Sequence, residues 1–379
     1  MLTSTYFPAN MKSDDSTRGS GHILVINPGS TTTKLAVYRF ELARKAIECL
    51  HQDTIDHTGN EQFRSGRVLD QLELRLQAVG QFLETARIIP DLIMARGGPL
   101  RPLPGGIYAV DQTMIDDLRS ARYADHASNL AALIGVGLNS NGKIPVYITD
   151  PVTTDEFEPL ARISGVPGIE RKSRSHALNI KASTRRLCQK LGRSIDESRW
   201  VVCHMGGGIS VAALKNGRII DVNDALLGMG PFSPERSGAL PSSGLLDLAY
   251  SGDHDRQELE ALLSKHSGLV GYLGTADLRK VEKRIAAGDE HALLIFQAMV
   301  YQISKEIAAM ASVLEFNLDG ILLTGGMARS TLLCESISTR VQAVATIHVE
   351  AGENELEALA EAGLQLLLGN EPEKRYSQN

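Results

Sequence analysis

His22-Ile-Leu-Val-Ile-Asn-Pro-Gly-Ser-Thr-Thr-Thr-Lys-Leu-Ala-Val-Tyr-Arg-Phe40 is two apolar runs joined by a turn of small hydroxyl residues. The runs His22–Ile26 and Leu35–Phe40 have strand length, and Asn27-Pro28-Gly29 closes the first, so the stretch predicts a β-hairpin. Its turn carries chemistry. Gly29 lets a ligand approach the backbone closely, the hydroxyls of Ser30 and Thr32 add donors, and Lys34 supplies a point charge. Thr31 and Thr33 alternate with them, so some of these hydroxyl residues are expected to point away and only pack.

The arrangement returns further along the chain. Trp200–Cys203 runs into His204-Met-Gly-Gly-Gly208, Ile209–Lys215 is the return strand, and Asn216-Gly217 is a tight-turn signal before Arg218–Val222. Ile321–Leu323 runs into Thr324-Gly-Gly326. A single glycine turn ordinarily just connects strands. Three at strand ends, two of them beside His or Lys, point to phosphate binding. The usual nucleotide signatures are missing: there is no G-x-G-x-x-G, and the near-match Gly137–Lys143 has Ile144 where a P-loop needs Ser or Thr.

Around these turns, helices alternate with strands. Arg67–Ala86 and His126–Gly137 have helical spacing, and Asp91–Ala95 and Pro145–Thr149 read as buried strands ending at Arg96 and Asp150. Asp289–Glu315 is a long helix whose Ile295, Phe296, Met299, Val300, Ile303, Ile307, Met310 and Leu314 form one stripe. A last helix, Glu355–Leu368, stops at Gly369. Each half opens strand, glycine turn, strand, which predicts an α/β fold of two related domains facing a cleft. A length of 379 residues agrees with two domains.

Bulk composition narrows the partners. Lys plus Arg is 39 against 45 Asp plus Glu, a net charge of -6, which gives no support for nucleic acid as a partner. No apolar run approaches the ~20 residues of a membrane span. The four cysteines, Cys49, Cys188, Cys203 and Cys334, form no CxxC pair and read as reduced core thiols of a cytoplasmic protein. Residues 1–21 are polar and read as a flexible leader, with Met11 as an alternative start.

Asn27–Lys34 followed by a strand resembles the N-terminal signature of the acetokinase family. Ala95-Arg-Gly-Gly98, Asp125-His-Ala-Ser-Asn-Leu130, Thr149-Asp-Pro-Val152, Ser175-His-Ala-Leu-Asn179, His204–Gly208, Gly230-Pro-Phe-Ser-Pro-Glu-Arg-Ser-Gly238 and Leu323–Gly326 resemble its butyrate kinase branch, in order, from His22 to Gly369. The resemblance implies a two-domain actin-like ATPase (ribonuclease H-like) fold with a duplicated mixed-sheet core and a central nucleotide cleft. Domains are expected at 22–152 plus 356–372 and at 153–355. It further implies ATP and a short-chain carboxylic acid as substrates, Mg2+ as cofactor, and a homodimer or larger assembly.

Carried over by motif, Asn27, Ser30, Thr32 and Lys34 belong to one phosphate turn, and His204, Gly206, Gly207 and Gly208 to a second. Asp277 and Arg279 meet the ribose and adenine region, Gly325 and Gly326 the adenosine, and Glu355 the metal together with Asn27, with Glu353 and Glu357 as competing registers. A carboxylate acceptor is ionised at neutral pH and needs no strong base, so catalysis must position and neutralise two anions. Arg96 and Arg236 suit that task, His176 and His204 can donate to the transferring group, and Asp150 suits an organiser of an arginine or a metal-bound water. For His126, a substrate contact and a structural role both remain open. A nucleotide-driven switch without transfer would lack Arg96, Arg236 or the metal carboxylate, and all three are present.

Overall fold

A computed structural model describes residues 19–59, 66–139 and 142–378. Most of the expected leader, 1–18, and two residues of the Gly137–Lys143 near-match lie outside them. Gly137 itself sits inside the helix Asn129–Leu138, so that segment does not follow a strand as a P-loop does.

The chain divides into two compact units, one of residues up to Thr154 together with Asn354–Asn379, the other Asp155–Glu353. In the first, strands β1 (Ser20–Pro28), β2 (Thr32–Glu41) and β3 (Ala46–Asp56) form an antiparallel meander. Strand β4 (Leu92–Arg96) lies parallel to β1, and β6 (Val146–Thr149) parallel to β4. Short strands β5 (Ile107–Ala109) and β12 (Glu373–Arg375) complete a seven-stranded sheet in the order β12-β5-β6-β4-β1-β2-β3. The helix Glu355–Leu367 packs on β1 and β4, where a Cβ on Gly363 would come within 3.0–3.1 Å of Met94, Ile23 and Leu92.

The second unit repeats this wiring. Strands β7 (Arg199–Met205), β8 (Ile209–Lys215) and β9 (Arg218–Val222) form the meander, with Asn216 and Gly217 both at positive φ in the turn. Strand β10 (Gly320–Gly325) runs parallel to β7 and β11 (Ile347–Ala351) parallel to β10. The order β11-β10-β7-β8-β9 therefore matches β6-β4-β1-β2-β3 of the first unit. Duplication of a mixed-sheet core holds at the level of topology. Under the second sheet lies the helix Glu290–Val313, capped by Asp289, whose side chain accepts from the Ala292 N–H at 2.9 Å. Its stripe from Ile295 to Met310 is buried as the spacing predicted.

Several expectations need correction. Ser20 and Gly21, assigned to the leader, pair with Glu41 and Phe40 and belong to β1. His126 precedes its helix, which begins at Asn129 after a tight turn. Cys49 is exposed on β3, whereas Cys188, Cys203 and Cys334 are buried, and all four are free thiols. Strand β3 itself went unseen because its mostly exposed, polar sequence shows no strand alternation; pairing with β2 creates it.

Candidate active site

Parallel strands end together, and side chains just past their carboxyl ends are gathered at one edge of the sheet. In the first unit, β1, β4 and β6 are neighbours, and Asn27, Arg96 and Asp150 stand at those ends. Asn27 and Arg96 converge on Glu355, the first residue of the last helix. The Asn27 amide donates to Glu355 Oε2 at 2.6 Å, and Arg96 Nη2 lies 3.4 Å from Oε1. A carboxylate at a helix N-terminus also faces the positive end of the dipole. Arg96 is 7% exposed, and its Nη1 is enclosed without a hydrogen-bond partner. Asp150 adopts a left-handed φ of 39° and accepts from the Gly106 N–H at 2.9 Å. Holding a non-glycine residue there costs energy, which the surrounding structure must offset.

His126 is partly solvent-accessible, but the protein around its ring desolvates it enough to lower its pKa; the neighbouring Arg96 charge adds to this and Asp125 opposes it. Its Nδ1 accepts from the Ser128 N–H at 3.2 Å and sits 2.7 Å from the Ser128 hydroxyl, so bonding assigns the ring proton to Nε2. The ring is thus a neutral donor beside Arg96. In the glycine turn, Ser30, Thr31 and Lys34 are exposed and Thr32 is half-buried, while Thr33 is fully buried.

The second unit builds its cluster around the other glycine turn. His204, at the end of β7, is 1% exposed and stacks on His176 with ring centroids 4.3 Å apart. His176 Nδ1 lies 2.8 Å from the Ser210 hydroxyl. Gly206–Gly208 follows His204, with the Gly206 N–H donating to Gly208 O at 3.0 Å. A Cβ on Gly208 would overlap the Arg236 guanidinium, so this turn is glycine because an arginine lies across it. Ser233 locks the two: its hydroxyl donates to Gly207 O at 2.6 Å and accepts from the Arg236 N–H at 3.1 Å. Arg236 Nη1 donates to Ala225 O, while its enclosed Nε has no hydrogen-bond partner. Burial lowers the Arg236 pKa from the usual value, against the pull of Glu235 and Asp224.

Beside Arg236 lies a small, partly open depression of mixed polarity, where Ile209, Ala225, Met229 and Pro231 stand beside Asn223 and Asp224. Gly325, at φ 93°, and Gly326 form the third turn, next to Glu353, whose carboxylate also lies against Gly206 and 3.8 Å from His204 Nε2. Glu353 therefore serves the second glycine turn, and Glu357 is held by the Asn354 amide at 3.0 Å; of the three competing glutamates, Glu355 is the one that meets Asn27 and Arg96. Asp277 caps the helix Leu278–Ala286 and pairs with the exposed Arg279 at 2.9 Å, an arrangement on the surface of the second unit.

A model of the acetokinase family matches residues 168–371. Over 357 residues, 93% of this chain and 99% of the relative, the sequence is 43% identical to the protein named "Probable butyrate kinase" of Listeria welshimeri. The chain belongs to the acetokinase family. With the family comes its reaction type, phosphoryl transfer to a carboxyl group. Among solved structures, Porphyromonas gingivalis acetate kinase superimposes with a TM-score of 0.73 at 18% identity, over 92% of this chain and all of that one. A Francisella tularensis propionate kinase does so with a TM-score of 0.70 at 18% identity, over 90% and 98%. The fold of this acetokinase is thus the actin-like ATPase fold. Sequence reasoning missed Ser233 and Ser210, and named Glu353 only as a competing metal register; all three make contact with the predicted residues without standing in a glycine turn themselves.

Proposed function

We propose that this acetokinase phosphorylates butanoate with ATP, giving butanoyl phosphate and ADP, reversibly and by direct in-line transfer. The observation that carries the reading is Arg236. Its guanidinium lies across the Gly206–Gly208 turn and keeps an enclosed Nε without a partner. A carboxylate acceptor or a transferring phosphoryl group matches that placement, since a planar guanidinium holds carboxylate or phosphoryl oxygens in a fixed plane. The 43% identity to a relative named for butyrate supports the four-carbon acid.

In this reading the acceptor carboxylate enters already ionised, so no residue must remove a proton. Arg96 and Arg236 neutralise and orient the acceptor and the equatorial phosphoryl oxygens, and neutral His126, with His176 and His204, donates hydrogen bonds. Asp150 fixes the Gly106 loop beside Arg96's strand instead of acting as a base. The turn Ser30–Lys34 and the glycines at 206–208 hold phosphates, and Asp277, Arg279, Gly325 and Gly326 meet the nucleoside.

Glu355, whose carboxylate is held by the Asn27 amide N–H, is the residue that would hold magnesium, a hard-oxygen ligand of the kind this ion takes when water and phosphates complete its shell. When bound, it would neutralise charge on the β- and γ-phosphates. Among the described residues no helix is long and apolar enough to cross a membrane. Membership of the acetokinase family supports a cytoplasmic homodimer or larger homo-oligomer as the reading.

The test is a hydroxamate trap for acyl phosphate with ATP, magnesium and acids of two to five carbons. The expected result is a higher kcat/KM for the C4 acid than for the C2 and C3 acids. A maximum at acetate would transfer the assignment to an acetate kinase, and no product with any acid would leave only a nucleotide-binding protein.

A further inference from the structure

Arg75 belongs to the helix Leu72–Ala86 and reads in the sequence as one more polar residue of an amphipathic helix. In the structure it is fully buried, at 0% exposure. Its guanidinium is spent almost entirely on the turn that follows β1. Nη1 donates to Thr32 O at 2.8 Å and to the Thr33 hydroxyl at 2.9 Å; Nη2 donates to Gly29 O at 2.8 Å and Ser30 O at 3.0 Å. Gln71 Oε1 accepts from Nε at 3.2 Å and from Nη2 at 2.9 Å, which fixes the plane of the fork. The neighbouring carbonyl of Thr31 accepts from the His57 N–H at 2.9 Å, and Thr33 Oγ1 lies 2.9 Å from His57 Nε2.

This pattern dictates which way the turn presents its peptide groups. In a trans peptide the C=O of one residue and the N–H of the next point in opposite directions. There are no cis peptides among the described residues. With the carbonyls of Gly29 and Ser30 drawn onto Arg75, the N–H groups of Ser30 and Thr31 must point away from it, on the side where the Ser30 and Thr31 side chains are exposed. Successive N–H groups aimed at one spot make an anion-binding concavity, whereas outward carbonyls would repel a phosphate. A buried cation directly behind the turn adds to the same field. Burial brings the Arg75 pKa down to about 10, which leaves it charged at neutral pH.

We propose that Arg75 is a positioning residue for phosphoryl transfer: from behind the Gly29–Thr33 turn it gathers the carbonyls and so turns the N–H donors toward the ATP phosphates. The inference rests on the reading of that turn as a phosphate site. Arginine is required because four oxygens on one short turn need a planar fork, and lysine offers one ammonium point.

The experiment compares Arg75→Met and Arg75→Lys with the parent in the full chain, measuring kcat and KM for MgATP, affinity for adenosine, and thermal melting. Arg75→Met is expected to lower kcat/KM for MgATP on the order of 10²-fold, the scale of a misplaced binding group. Adenosine affinity, which needs no phosphate contact, stays within about twofold of the parent, inside the ordinary scatter of single contacts. Arg75→Lys recovers part of the loss. If Arg75→Met does not fold, Arg75→Lys and Thr33→Val carry the same comparison, each removing some of the fork's bonds. Loss of adenosine affinity in step with MgATP would make Arg75 a fold residue and overturn the proposal, as would unchanged MgATP kinetics. Lys34→Met and Ser30→Ala separate the two layers. If both weaken MgATP while Arg75 variants do not, the positioning role alone is wrong; if neither does, the turn is not a phosphate site.

Discussion

Arg236 and Gly208 are a pair in which each residue explains the other. The guanidinium occupies the space a Cβ at position 208 would need, and Ser233 ties both segments together. Arg236→Ala should therefore reduce turnover by about 10²- to 10³-fold, the range for losing one preorganised donor to developing charge, with the KM for ATP little changed. Gly208→Ala should give a smaller loss of the same kind, because the far end of a flexible side chain can shift aside. Steady-state kinetics of the two variants check this, and equal damage to turnover and nucleotide affinity would mark Arg236 as structural. At this scale the motifs in the chain led to Arg96, Arg236, His176, His204 and Glu355. They did not lead to Arg75, because an arginine in a helix carries no local sign of whether its surroundings are solvent or backbone carbonyls.

Among the elements, the carboxy-terminal segment does more than end the chain. Strand β12 pairs with β5, Lys374 donates to Gly105 O, and the adjacent Gly106 N–H holds Asp150. Tyr376 anchors the segment: it is fully buried, stacks under Arg101 at 4.2 Å, and donates its hydroxyl to Asp117 Oδ2 at 2.8 Å. Tyr376→Phe should lower stability by about 1–3 kcal/mol, the cost of leaving a buried carboxylate oxygen without its donor. Urea midpoints of the variant and parent measure it, and an unchanged midpoint would mean that the segment adds nothing. Neither β12 nor β3 was legible in the sequence. The charged triplet Glu373–Arg375 and the polar run Ala46–Asp56 become strands only because a neighbouring edge offers hydrogen bonds. The longer apolar strands and the Glu290–Val313 helix were legible, since their burial is written in their own residues, whereas the short β5 and the half-polar β11 were not read.

For the molecule as a whole, the buried His57 links stability to pH. Desolvation lowers its pKa below the ordinary 6.5, with the Arg75 charge adding to the effect and Asp56 opposing it. Below pH ~6.5 the unfolded chain accepts a proton that the folded one refuses, so the unfolded state holds more protons and stability falls as pH drops. Above that value the difference vanishes. Parent stability should decline between pH 7.5 and 5.5 by up to about 1.4 kcal/mol per pH unit from this residue. His57→Gln should flatten that part of the slope, and urea titrations at the two pH values decide it. A variant with the parent's full slope would assign the dependence to other groups.

What the chain determines by itself is local: a hairpin in the first half and a meander in the second, each built on a glycine turn, the long apolar helix, and the motif residues at strand ends, each set by periodicity or backbone freedom within a few residues. Tertiary structure alone decided that Glu355 meets Asn27 across more than three hundred positions, that Arg236 lies over Gly208, and that Arg75 faces the first turn from behind. Those encounters depend on which strand ends lie side by side and which charges are shut away from water, quantities that no window of sequence contains.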